Sequence, residues 1–275
     1  MREFLIKIFQ NDRGPWIELF SSAHIIYLVL IIGLTITLAL VAKNKFPKYQ
    51  TRILNVVAIA VIATYIADFF IMPISRVNTD PTRQLIDPEK LPFHLCTFMG
   101  VVIPFAQFNS KLKNNVHFKE IVVVLSIAAS LMYVVYPGSA IGEIGALTYK
   151  VVQTFLFHGL VFCWGVLNLT FKEVTLRFKN IWKPALGILV AMLWATIGNE
   201  AYYSELFSCE CNFCFLKVSF LPFIPDNLMP VAFFAAVYSV CAMIYGINWC
   251  VKKVAIKATP LVSKVTNSDK QYENI

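Results

Sequence analysis

Ser22–Ala42 reads S-A-H-I-I-Y-L-V-L-I-I-G-L-T-I-T-L-A-L-V-A, without an Asp, Glu, Lys or Arg. A helix rises about 1.5 Å per residue and the hydrocarbon core of a bilayer is about 30 Å thick, so roughly 20 apolar residues cross it. This stretch meets that rule, and its reading decides the fold. Six further runs follow it: Ile53–Met72, Pro92–Phe108, Ile121–Tyr136, Leu147–Phe171, Pro184–Tyr203 and Leu228–Val251. The third and fourth are short, and Pro104 is expected to kink or end the third. The fold class expected is therefore all-α integral membrane, a seven-transmembrane-helix bundle. Residues 1–21 read as an N-terminal interfacial segment, 22–251 as the seven-helix domain and 252–275 as a basic cytoplasmic tail.

Composition agrees. Apolar residues make up 58% of the chain, with 23 Phe, and mean hydropathy is +0.66. Only 15% of residues are charged, against roughly 25% in globular chains. The formal charge is +8, but no basic stripe with interleaved aromatics accompanies it. Nucleic acid is thus not an expected partner, and membrane lipid is. No cofactor and no metal site is expected. Met1–Gln10 lacks the small-residue cleavage site of a secretory signal.

Lys and Arg set the orientation. The segments after the first, third, fifth and seventh runs carry sixteen basic residues, the remaining segments eight. The positive-inside rule puts the N-terminus outside and the C-terminus in the cytoplasm. The expected location is the cell membrane, as a multi-pass protein.

In that orientation His24, Asp68, His94, Thr97, Asn199 and Glu200 fall in the outer half, and His158 lies close to the midplane. Ionisable groups inside a membrane are costly and mark functional sites by default. Candidate catalytic residues are His94, His158, Thr97, Cys96 and Asp68; candidate binding residues are His24, Asn199 and Glu200. On a regular helix, positions two apart point in opposite directions and positions three apart share a face. Cys96 therefore does not face His94, whereas Thr97 does. His158 or His94 would act as general base, and Thr97 or Cys96 as nucleophile. Asp68 would orient a histidine, and Asn199 would donate to an oxyanion or headgroup. The expected partner of His94 is His158, across the bundle. The bland readings are a headgroup-facing histidine at a helix end, a small buried thiol and snorkelling carboxylates. Cys209, Cys211 and Cys214 form C-x-C-x-x-C. Three ligands fall short of a structural zinc site, and a disulfide outside the cytoplasm is the expected state. A transporter using the same His and Asp groups is the second functional reading. It ranks lower because no inverted repeat or pair of broken helices is evident.

Leu91-Pro92-Phe93-His94-Leu95-Cys96 resembles the L-P-x-H-x-C signature of the YwaF family of bacterial integral membrane proteins. Phe157-His158-Gly159, Gly14-Pro15 followed by Ala23-His24, and Asn199 near the end of the sixth run are similar too. The likeness runs over roughly residues 14–250. That family is similar in turn to the transmembrane protein 164 acyltransferases and, more distantly, to the androgen-induced-protein group of lipid hydrolases. The resemblance implies a seven-helix bundle with a lipid-processing pocket. In the acyltransferase a nucleophilic Cys directly precedes the motif histidine; the matching residue here is Phe93. The hydrolase group resembles a Thr plus His arrangement.

Overall fold

A computed structural model describes residues 14–79, 90–137, 142–201, 212–219 and 223–272. Eight α-helices carry the described chain: α1 (Ser22–Lys45), α2 (Gln50–Thr79), α3 (Leu95–Phe108), α4 (Ser110–Asn114), α5 (Val116–Val135), α6 (Tyr149–Thr170), α7 (Lys183–Ala201) and α8 (Met229–Tyr272). Each of the seven apolar runs holds an α-helix. Six of these helices are long and apolar enough to cross a membrane. The third run is not: α3 has 14 residues, about 21 Å of helix, which falls short of the hydrocarbon thickness. Pro104 lies inside α3 without ending it. The protein is thus an all-α membrane protein with six candidate spans and one short apolar helix. Beyond Val251, α8 continues as one helix to Tyr272. Residues 1–13 of the expected interfacial segment lie outside the described residues.

Caps fix the joints. Asn109 and Asn115 bracket the short α4, and each side-chain oxygen accepts two backbone N–H groups of the following turn. Such bonds satisfy donors that a helix start leaves unpaired. The second cap starts α5 five residues before the apolar run does, which draws Lys119 and Glu120 into the helix.

The core lies along α5 and α6, which pack most extensively on each other; α6 also meets α2 and α1, and α3 packs on α2 and α5. At Gly165 a Cβ would fall within contact distance of Ile127, so the glycine sets how closely the two central helices approach. Trp164 is fully buried, and its Nε1–H donates to Gln107, whose amide donates to Asn55. This chain links α6, α3 and α2. By contrast α1 exposes Ile25, Ile26, Val29, Leu30 and Leu34, apolar surface that lipid would cover.

The predicted inner end of the bundle holds a buried charge network. Glu120 is 1% exposed. Its carboxylate accepts from Lys183 Nζ, from the Asn180 amide and from the Tyr245 hydroxyl. Lys183 also donates to His117 Nδ1, and Lys119 pairs with Glu173 at 2.7 Å. Lys119 and Lys183 were counted among the sixteen basic residues, yet each is buried against a carboxylate. The remaining fourteen still outnumber the eight opposite.

At the other end a two-residue strand, β1 (Trp16–Ile17), pairs antiparallel with β2 (Gly142–Gly145) between α5 and α6. Gly14 enters it at φ +83°, a conformation that suits glycine. Ala146 N–H donates to Pro15 O, and Tyr27 OH donates to Ala146 O.

Candidate functional site

The signature Leu91–Cys96 does not simply begin a helix. His94 is the N-cap of α3, in extended conformation, and helical geometry starts at Leu95. Phe93 stacks on Trp194 of α7 at 5.1 Å, and Trp194 Nε1–H donates to Pro92 O. Gly198, one turn further along α7, leaves space for the Phe93 ring, which a Cβ would enter. Gly198→Ala is therefore expected to destabilise the protein by about 1–3 kcal/mol, the usual cost of overpacking. Thermal unfolding in detergent micelles would measure it.

The His94 ring meets the segment after α7, 120 residues away in sequence. The Cys214 backbone N–H donates to His94 Nδ1 at 3.2 Å. Phe213 meets the imidazole edge-on at 5.2 Å, and Phe215 lies 6.1 Å away. Cys214 and Phe215 both adopt positive φ, 55° and 57°, a conformation that costs non-glycine residues of order 1 kcal/mol. Asn199 holds the segment in place. Its carbonyl oxygen accepts from Phe213 N–H at 2.7 Å, and its amide donates to Phe213 O at 3.2 Å. Asn212 adds bonds to Lys217 and Val218.

His158 lies on α6, 7% exposed. Its Nδ1–H donates to Thr154 O at 2.7 Å, and its ring stacks on Tyr133 of α5 at 3.7 Å. No hydrogen bond or ring contact joins His158 to His94 among the described residues, so the expected couple does not form directly. A charged residue outside the expected site also bears on both. Lys90 lies within Coulomb range of both imidazoles, and its Nζ pairs with Asp68 at 2.6 Å. Asp68 therefore orients a lysine and not a histidine. Asp68 is 5% exposed, and its second oxygen, Oδ1, has no hydrogen-bond partner among the described residues. Tyr65 OH donates to Lys90 O, and Gln153 of α6 reaches the Thr64 carbonyl. Proximity of Lys90 to the signature was the available signal, since it precedes Leu91 directly.

The remaining candidates are committed elsewhere. Thr97 donates its hydroxyl to Leu91 O and His94 O, so it caps backbone and does not hand its proton to the His94 ring. The Cys96 thiol points at Ala129 O on α5, 3.6 Å away. His24 is fully buried; Nδ1 accepts from Phe20 N–H and Nε2 donates to Val134 O. Both nitrogens are used in pinning α1 to α5, which leaves none for a ligand. Asn199 likewise spends both ends of its amide on Phe213. Glu200 is exposed and pairs with Lys217 at 3.2 Å.

Cys209 and Cys211 lie outside the described residues. Cys214 is a free thiol, directed at Phe93 O at 3.4 Å. Burial pushes it up to about 12. Only the thiolate reacts, so maleimide modification of Cys214 is expected to be slow throughout pH 7 to 9 and to rise about tenfold per pH unit without levelling off. Exposed Cys250 provides the fast comparison in the same mass-spectrometric time course.

Fold and site together define a multi-pass membrane protein with a polar cluster enclosed by apolar helices. The chain belongs to the TMEM164 family, whose model matches residues 19–249. No curated protein and no solved structure matches it.

Proposed function

We propose that this protein processes a membrane lipid by acyl transfer or ester hydrolysis, as its family resemblance implies. The observation that carries the reading is a buried polar cluster, His158 with Tyr133 and the Asp68–Lys90 pair, set beside apolar surface. Ile31 and Ile32 of α1, Leu131 and Val134 of α5 and Phe162 of α6 line a narrow apolar crevice with no room for a water molecule. Phe162 is one helical turn from His158, and Val134 adjoins Tyr133. An acyl chain would reach the imidazole by this route only where these helices part. Thr97 and Cys96 are bonded to backbone carbonyls and Phe93 replaces the relatives' cysteine. The reading therefore favours direct attack by water or a substrate hydroxyl over a covalent enzyme intermediate. It places seven helices in the cell membrane, with α3 entering from the outside, the N-terminus outside and the C-terminus cytoplasmic.

The test is turnover by the purified protein in phosphatidylcholine vesicles that carry a labelled acyl chain, with and without added lysophospholipid. Release or transfer of the label supports the reading, and label that stays in place under both conditions overturns it. The unpaired, buried oxygen of Asp68 favours one alternative, a proton- or cation-coupled transporter. Uptake driven by a proton gradient in proteoliposomes, abolished by Asp68→Asn, would establish that alternative.

A further inference from the structure

Four histidines occur in the chain, and the structure gives each a partner at Nδ1. His24 accepts there from Phe20 N–H, His94 from Cys214 N–H and His117 from Lys183 Nζ. A nitrogen that accepts carries no proton, so in these three rings the proton resides on Nε2. His158 is the exception. Its Nδ1 faces the Thr154 carbonyl, which can only accept. The proton is therefore on Nδ1, and the neutral ring has its lone pair on Nε2.

We propose that His94 and His158 are held as opposite tautomers with opposite tasks, His158 accepting a proton through Nε2 and His94 donating a hydrogen bond through Nε2–H. We also propose that Asn199 is the positioning residue for His94. It grips the Phe213 backbone at both N–H and C=O, and this presents the next N–H, that of Cys214, to His94 Nδ1. The positive φ values of Cys214 and Phe215 turn the chain sharply at that point. Without the grip, an unstrained conformation would withdraw the Cys214 N–H, and His94 would be free to change tautomer.

This assignment deepens the lipid-processing reading and rests on it for the chemistry. The attacking O–H oxygen bonds to the ester carbonyl carbon as His158 Nε2 takes its proton. The carbonyl π electrons move to oxygen, which receives the His94 Nε2–H hydrogen bond. Collapse of the adduct breaks the bond to the leaving oxygen, and that oxygen takes the proton back from His158.

The experiment is solid-state NMR of the full chain, with histidine labelled in ¹⁵N and ¹³C, in phosphatidylcholine bilayers, where ring shifts distinguish the tautomers. One Nδ1–H ring and three Nε2–H rings are expected. His158→Gln should remove the single Nδ1–H signal. Asn199→Ala should shift the His94 ring alone towards a mixture of tautomers. Asn199→Asp, which retains the acceptor for Phe213 N–H, should restore it. In the vesicle assay, His94→Gln keeps an N–H donor and should retain at least tenfold more turnover than His94→Leu. An Nε2–H signature for His158, an Nδ1–H signature for His94, or a His94 ring unmoved by Asn199→Ala overturns the proposal. The expected NMR pattern without lipid turnover would leave the tautomer assignment standing and remove the lipid-processing chemistry.

Discussion

Glu120→Ala is expected to destabilise the protein by about 3–5 kcal/mol, the typical cost of removing one partner of a buried ion pair. The carboxylate is where four segments meet: α5 itself, the linker through Asn180, α7 through Lys183 and α8 through Tyr245. Its loss leaves Lys183 buried with only His117 beside it, and it orphans an amide and a phenol as well. A fall in melting temperature and in folded yield from membranes would measure the effect. Glu120→Gln keeps acceptors for Asn180 and Tyr245 and should lose less. The pair change Glu120→Met with Lys183→Met removes both charges and should recover much of the loss, because buried pairs are often replaceable by apolar groups of similar volume. A pair change no more stable than Glu120→Ala would contradict this account.

His158→Gln is expected to lower lipid turnover by roughly 10²–10⁴-fold, the range that a positioned general base supplies. Stability should change little by comparison. The glutamine amide can still meet the Thr154 carbonyl and pack on Tyr133, but it has no nitrogen lone pair of suitable basicity. The two measurements therefore separate. A variant that unfolds has lost packing against Tyr133 and Phe157, whereas one that folds and is inactive has lost a base. Turnover within a few-fold of wild type would remove His158 from the chemistry.

Helix positions were legible in the sequence because lipid demands long apolar runs, and those runs are hard to disguise. Even the short third helix could be seen. Its shortness is visible there too, and the His94 cap trims it further, so that the helix starts at Leu95 and not at Pro92. Partners were much less legible. Thr97, Asn199 and His24 were singled out for their side-chain chemistry, yet each uses that chemistry on backbone groups, and a sequence displays residue types without their bonds. The His94–Cys214 contact spans 120 positions, and no local pattern anticipates it. Lys119 and Lys183 looked like loop charges because each stands at the edge of an apolar run, whereas Asn115 caps early and carries Lys119 and Glu120 inside. A lone glutamate entering an apolar run was a usable signal, since an ionised group there requires a partner. The two-residue β1 is too short to leave a periodic trace.

That small sheet has a mechanical consequence. Through β1 and β2, the Tyr27–Ala146 bond and the His24–Val134 bond, the ends of α1, α5 and α6 are laced into one wall. Those three ends should therefore move together, and parting α1 from either of the others would break at least one of these bonds.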